Sequence, residues 1–292
     1  MENYNRIDWK KGLDITPDIF IRSDDYHVAQ RNFLGRFFAY KIYGILPNSR
    51  FHIETRINNR KISVDYIECK AITNDGCLIN LQNNIPYASE TEIEENGEEF
   101  YLFLIVNPYT LPAEPHGFSA SHKYGFVCKN IEEPIEKGVP VAKFIKDFQS
   151  WVIDDNYIPP SMALNAVEKL LNRYTEIKNI ITEIIRKLPE EYPFYFQITM
   201  LDLELNHYAL YEPPEGFVLL MKKFVLIFQH YLKTVKNLEE SPVLKTFMEE
   251  PYRHYDIKKS FYRGFEALME INQKIEEKPV VKEEVAVFEI KI

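Results

Sequence analysis

Glycine is scarce in this chain: 10 residues in 292, none of them set out as GxGxxG or GxxxxGK[ST]. Phosphate-cradling loops need glycine so that the backbone can approach the anion, and its scarcity excludes nucleotide-binding enzymes of the Rossmann and P-loop kinds. Cysteine is scarcer still. Cys69, Cys77 and Cys128 form no CxxC pair, a usage that fits free thiols in a reducing compartment. Metal-ligand spacings are missing as well: His116 and His122 share a loop near Cys128 but read as solvated loop histidines. No GxSxG elbow accompanies His207, so its neighbour Glu204 does not complete a catalytic set, and a packed or surface histidine is expected. Positive charge is in the minority, 35 Lys and Arg against 44 Asp and Glu, for a net charge of -9. Such a chain repels phosphate backbones, and Lys222-Lys223 and Lys258-Lys259 are too short to make a basic patch, so no nucleic acid is expected as a partner. Long apolar runs are lacking: the window 217–228 is broken by Lys222 and Lys223, short of the roughly 20 residues that span a bilayer, and no basic-then-apolar leader follows Met1. The expectation is a soluble, cytoplasmic chain with no cofactor, no metal, no membrane insertion and no enzymatic activity.

Aromatic residues, by contrast, are plentiful, at 14% with 19 Tyr and 20 Phe, which fits extensive packing in cores and at interfaces. Two patterns follow one another along the chain. From about 51 to 153 the sequence is strand-like. Phe51, Ile53, Thr55 and Ile57 alternate with polar residues, 61–73 is rich in β-branched and aromatic residues, and Asn74-Asp75-Gly76 signals a hairpin returning through Cys77–Leu81. The run Phe100 to Val106 suits a strand buried on both faces. Residues 124–128 and 139–152 read as further strands, and 90–99 as a solvated acidic loop. One helix, 25–43, precedes the strands, capped by Asp24 and ended by Gly44; Tyr26, Ala29, Phe33 and Phe37, with Leu34 and Phe38, are expected to face the sheet.

From Pro160 onward the apolar period becomes helical. Leu164, Val167, Leu171, Ile177, Ile181 and Ile184 form a stripe expected in the core of a bundle or trimer, and further helices are expected over 195–210, 214–238 and 256–276. The helix from 214 is apolar around most of its girth, more than one four-helix chain can bury, and repetition around a threefold axis would bury the excess. Tyr157-Ile158-Pro159-Pro160 reads as a stiff joint, because proline cannot continue a central strand and restricts the residue before it to extended geometry. The fold class is therefore α+β, an N-terminal β-sandwich followed by an antiparallel helical bundle. Its expected parts are an arm over 1–24, a β-rich domain over 25–158 with the helix 25–43, four helices over 159–278, and a tail over 279–292 in which Val281, Val285, Val287 and Ile290 alternate with charges.

Three stretches resemble the TssK family of type VI secretion baseplate subunits (ImpJ/VasE-like), and they occur in that family's order. Trp9, Gly12, Pro17 and Phe20 match an opening W-x-x-G-x-x-x-x-P-Q-x-F, with Asp18 where Gln is usual; Asn74-Asp75-Gly76 is similar to a P-D-G turn; and Tyr157-Ile158-Pro159-Pro160 matches an (F/Y)-I-P-P segment between strands and helices. Leu205-Asn206 and Pro213-Pro214-Glu215-Gly216-Phe217 resemble further bundle positions, with Pro213 in place of His.

The resemblance implies a β-sandwich shoulder, a helical neck, a homotrimer, and docking of the shoulder on the wedge proteins TssF and TssG at the inner face of the cytoplasmic membrane. Trp9, Gly12, Pro17 and Phe20 are the expected partner-binding residues. The sequence departs from the family after the last helix, where a C-terminal head would follow, and docking to a membrane complex is not expected without it. The alternative is a baseplate or receptor-binding component of a phage tail or another contractile injection system, and beyond that an enzyme of unknown type.

Overall fold

The computed structural model describes residues 6–10, 13–38, 42–58, 60–81, 90–93, 97–107, 123–130, 135, 137–148, 150–239 and 241–276. His116, His122, Gly12 and the tail 279–292 lie outside the described residues. The chain divides into two compact units. The first holds residues up to Tyr174 together with Ala209–Gly216 and Tyr252–Lys259; the second holds Thr175–Tyr208, Phe217–Pro251 and the residues from Ser260 onward. The last strand ends at Ile153, and the compact units divide the chain elsewhere.

The first unit is the expected β-sandwich. Helix α1 (Pro17–Phe38) leads into β1 (Gly44–Ile45), β2 (His52–Asn58), β3 (Lys61–Ile72), β4 (Leu78–Leu81) and β5 (Glu90–Glu92). All four of the other strands pair antiparallel with β3 to make the first sheet. The second sheet, in the order β7-β6-β8-β9, is built from β6 (Glu99–Asn107), β7 (Lys123–Lys129), β8 (Gly138–Asp147) and β9 (Ser150–Ile153). As its unbroken apolar run predicts, β6 is buried on both faces, with Phe100, Leu102 and Leu104 enclosed on one and Tyr101 and Phe103 buried on the other. The backbone N–H of Asn80 donates to the Tyr124 hydroxyl at 3.3 Å, tying one sheet to the other.

Three expectations are corrected here. The stretch read as an acidic loop contains β5, whose Glu90–Glu92 pairs with Ser63–Lys61, so backbone pairing outweighs a composition that looks solvated. The strand expected over 139–152 is two, β8 and β9, folded back at Phe148, which takes a positive φ of 53°. The helix expected from Asp25 begins at Pro17, whose fixed φ suits a first helical position, and Asp24 lies inside it rather than capping it.

After the joint, the expected helix from Pro160 begins only at Glu168, as α2 (Glu168–Lys187). Leu164 therefore sits ahead of the helix. Its N–H donates to the Glu212 carbonyl at 3.2 Å and that of Asn165 to the Leu210 carbonyl at 2.9 Å, so these amides are used outside any helical ladder.

The remaining helices are α3 (Tyr195–His207), α4 (Pro214–Thr234), α5 (Pro242–Glu249) and α6 (Ile257–Glu276). The sequence did not announce α5. It is short, but Ser241 caps it by accepting from the Val243 N–H, with Pro242 at its first position. In the second unit Phe217 of α4 packs on Phe261 of α6 at 5.6 Å between ring centroids. A Cβ on Gly264 of α6 would meet the Met221 sulfur at 2.9 Å, so α6 lies close against α4 there. The Ser241 hydroxyl donates to Glu270 at 2.7 Å, and Lys187 of α2 donates to Asn272 at the same distance. Ile177, Ile181 and Ile184 of α2 are wholly buried within the single chain.

Candidate interaction surfaces

No group of three or more His, Cys, Asp or Glu among the described residues could hold a metal ion. No helix among them is long and apolar enough to cross a membrane. The three thiols are free and buried, and burial pushes those of Cys69 and Cys77 up to about 12, so neither is a thiolate nucleophile at neutral pH. His207 is exposed and bonded to the Leu203 carbonyl of its own helix at 2.8 Å, while Glu204 pairs with Lys223 at 2.9 Å. What the molecule presents instead are apolar surfaces.

One lies on α1. Part of the expected inner face is turned outward: Phe33, Leu34 and Phe37 are exposed, Phe37 by 73%, while Tyr26 and Ala29 are half-buried. Val28 is the buried residue of the helix, and the half-buried Asp25, Ala29, Asn32 and Gly35 lie on the same side at helical spacing. The reason is a close backbone approach. A Cβ on Gly35 would lie 2.3 Å from the Gly76 carbonyl oxygen, and one on Gly76 would lie 2.1 Å from the Arg36 nitrogen. Gly76 also holds a φ of +87°, which L side chains rarely adopt. Two glycines distant in sequence thus let the helix lie directly on the β3–β4 turn, and bulky residues are left to face outward.

That turn is rigid. Gly76 N–H donates to the Thr73 carbonyl and Cys77 N–H to the Thr73 hydroxyl, each at 2.9 Å. The Asp75 carboxylate accepts from Thr73 at 2.5 Å and from the Lys137 backbone N–H at 3.0 Å, joining the turn to the loop before β8.

Of the predicted partner-binding residues, Trp9, Pro17 and Phe20 lie on the same helix or beside it. Pro17 is its exposed first residue, and Phe20 is exposed by 55% with its ring 6.3 Å from that of Trp9, itself exposed by 52%. With Leu13 and Ile15, also exposed, these residues extend the apolar surface beyond the helix. Phe33, Leu34 and Phe37 were legible as apolar residues but not as surface.

The joint residues are arranged differently. Tyr157, Ile158, Pro159 and Pro160 are all buried. Tyr157 packs edge-on against Tyr101 at 5.8 Å, and burial raises its phenol well above the ordinary range, so it stays protonated. Ile45 donates to the Pro160 carbonyl at 2.8 Å and Met162 donates back to Ile45 at 2.9 Å. Gly44 makes room for this, since a Cβ there would lie 2.0 Å from the Pro160 oxygen. The segment is stiff because it is bonded alongside β1, in addition to the restraint of its prolines.

Residues 252–259, which follow α5 and run into the first turn of α6, add a contact that the sequence did not signal. His254 Nε2 lies 2.5 Å from the Tyr43 carbonyl and Nδ1 lies 3.0 Å from the Tyr252 hydroxyl. A carbonyl can only accept, so Nε2 carries the proton and Nδ1 accepts from Tyr252. Burial holds the ring below its ordinary pKa, partly offset by the bond to Tyr43. Lys258 closes the segment through Asp154 at 2.9 Å.

Of the stripe expected in a trimer or bundle core, Leu164, Ile177, Ile181 and Ile184 are fully enclosed and Leu171 is half-buried. They form intrachain core. The apolar residues left exposed on the second unit's helices are chiefly Phe196, Met200 and Leu203 of α3 and Leu219 and Leu226 of α4.

No protein-family model matches the sequence, and no curated protein matches it either. Among solved structures, the chain is similar to a chain of the type VI secretion system TssK-TssF-TssG baseplate subcomplex. The TM-score is 0.60 at 14% identity, over 93% of this chain and 99% of that one. It is similar to TssK from the EAEC type VI secretion system, solved with nanobody nb18, at a TM-score of 0.60 and 12% identity over 87% of this chain and 69% of that one. A crystal structure of TssK matches at a TM-score of 0.60 and 12% identity, over 94% of this chain and 73% of that one. The chain therefore has a TssK-like α+β fold.

Proposed function

We propose that this chain is a non-enzymatic structural subunit of a type VI secretion baseplate, which forms homotrimers and docks on wedge proteins of the TssF and TssG kind. It would act in the cytoplasm, in a baseplate at the inner face of the cytoplasmic membrane. In this reading residues 1–24 form an arm, 25–158 act as the shoulder and 159–278 as the neck, and Trp9, Gly12, Pro17 and Phe20 belong to the wedge-binding surface.

The observation that carries the reading is α1. A helix of 22 residues that buries Val28 and exposes Phe20, Phe33, Leu34 and Phe37 leaves unused the apolar area that ordinarily pins a helix to its own domain. On a fold like that of TssK, such a face fits protein docking better than chemistry.

The test is co-purification of the chain with wedge proteins of the TssF and TssG kind, using the double variant Phe33→Asp and Phe37→Asp. Both side chains are exposed, so stability should change by less than about 0.5 kcal/mol per site. Wedge binding should be lost while the melting temperature holds. Unchanged wedge binding by the folded double variant would refute the role of α1.

A further inference from the structure

We infer that Asp75 is a positioning residue of the docking surface: its carboxylate ties the β3–β4 turn to the second sheet and so fixes the seat on which α1 presents Phe33, Leu34 and Phe37. This role rests on the docking proposed above, and Asp75 fills it through the helix rather than by touching the partner.

The carboxylate gathers three donors. The Thr73 hydroxyl donates to it at 2.5 Å, the Cys77 thiol at 3.4 Å and the Lys137 backbone N–H at 3.0 Å. Two of them belong to the turn itself, whereas Lys137 lies 62 residues away in sequence. Thr73 is fully buried, and its oxygen also accepts from the Cys77 N–H at 2.9 Å. Removing the carboxylate would strand these donors, and an enclosed donor without an acceptor costs more than its bond supplied.

Lys137 is held in a conformation that few residues other than glycine adopt. Its φ is +58°, and such a residue persists where its surroundings fix it from more than one side. Here both backbone groups are engaged: the N–H donates to Asp75, and the carbonyl accepts from the Val106 N–H of β6 at 2.9 Å. Bonded contacts therefore run from β6 through Lys137 and Asp75 to Gly76, and α1 lies on Gly76 at Gly35, where a Cβ would come within 2.3 Å of the Gly76 oxygen. Among the described side chains of α1 only Val28 is buried. The helix has little core of its own, so the seat at Gly76 sets where it lies and which way its apolar face points.

Hydrogen exchange over 17–38 and binding to wedge proteins of the TssF and TssG kind, both on the full chain, test this with Asp75→Asn and Thr73→Val made separately. Asp75→Asn sets an amide NH2 among converging donors, and Thr73→Val keeps the buried shape while removing the hydroxyl. Each should speed exchange over α1 by roughly tenfold or more, the scale of losing a hydrogen bond to a charged group, with β6 still protected and wedge binding weakened. Thr73→Ser keeps the hydroxyl and should match the wild type. On a Gly35→Ala background, where α1 is already lifted, Asp75→Asn should weaken wedge binding no further, whereas independent effects would add. Unchanged exchange over α1 in both variants would overturn the positioning role. So would additive losses of binding, or exchange that rises equally in the sheets. A wild type that binds no wedge protein would remove the docking reading, and the exchange results alone would then decide whether Asp75 sets the seat of α1.

Discussion

Replacing Gly35 by alanine gives opposite answers depending on whether α1 rests on the β3–β4 turn. In a helix free of its surroundings the substitution stabilises by about 1 kcal/mol, because glycine loses more backbone entropy than alanine. In this structure the new Cβ would lie 2.3 Å from the Gly76 carbonyl oxygen, well inside contact distance. One partner must move. The turn is held by the bonds within Thr73–Cys77 and by Asp75 to the Lys137 N–H, so the helix is the partner that yields. Lifting α1 exposes Val28, whose full burial is worth roughly 1.5–3 kcal/mol. Set against the propensity gain, the expected net loss is about 0.5–2 kcal/mol, confined to α1. Hydrogen exchange read by mass spectrometry should show faster exchange over 17–38 with the sheet peptides unchanged, and wedge binding should weaken with it. Slower exchange over α1, or a raised melting temperature, would refute the close approach and with it the reason why Phe33 and Phe37 face outward.

Two further outcomes follow from buried groups. His254 is neutral in the folded chain and its pKa is lowered, so the unfolded state takes up more protons as pH falls below about 6.5, its ordinary value. Its contribution is present above that pH and lost as pH falls through the folded value; His254→Gln should flatten the acid limb of a stability–pH profile, and an unaltered limb would contradict the assignment. Ile177→Asp places a carboxylate at a fully enclosed position and should cost several kcal/mol, so urea titration should find the helical half unfolded; a folded monomer would mean that Ile177 lies between copies after all.

Much of the fold was legible because the signals that produced it are local. The alternation in 51–57, the apolar run of β6 and the Asn74-Asp75-Gly76 turn each specify an element from a few adjacent residues. What escaped were elements too short for a period to register, such as the two-residue β1 and the three-residue β5, which form only because β3 is there to pair with them. The docked segment around His254 escaped for the same reason, its partner Tyr43 lying far off in the chain.

By itself the sequence determined where most of the longer strands and helices lie and where the strand-rich part hands over to helices. It could not determine which side of an apolar helix is hidden. For α1 that was decided by Gly35 meeting Gly76, and for α2 by packing within one chain that leaves its isoleucines fully buried. Period and composition report that a face is apolar; only packing, which depends on backbone approach between residues distant in sequence, decides whether that face becomes core or remains surface.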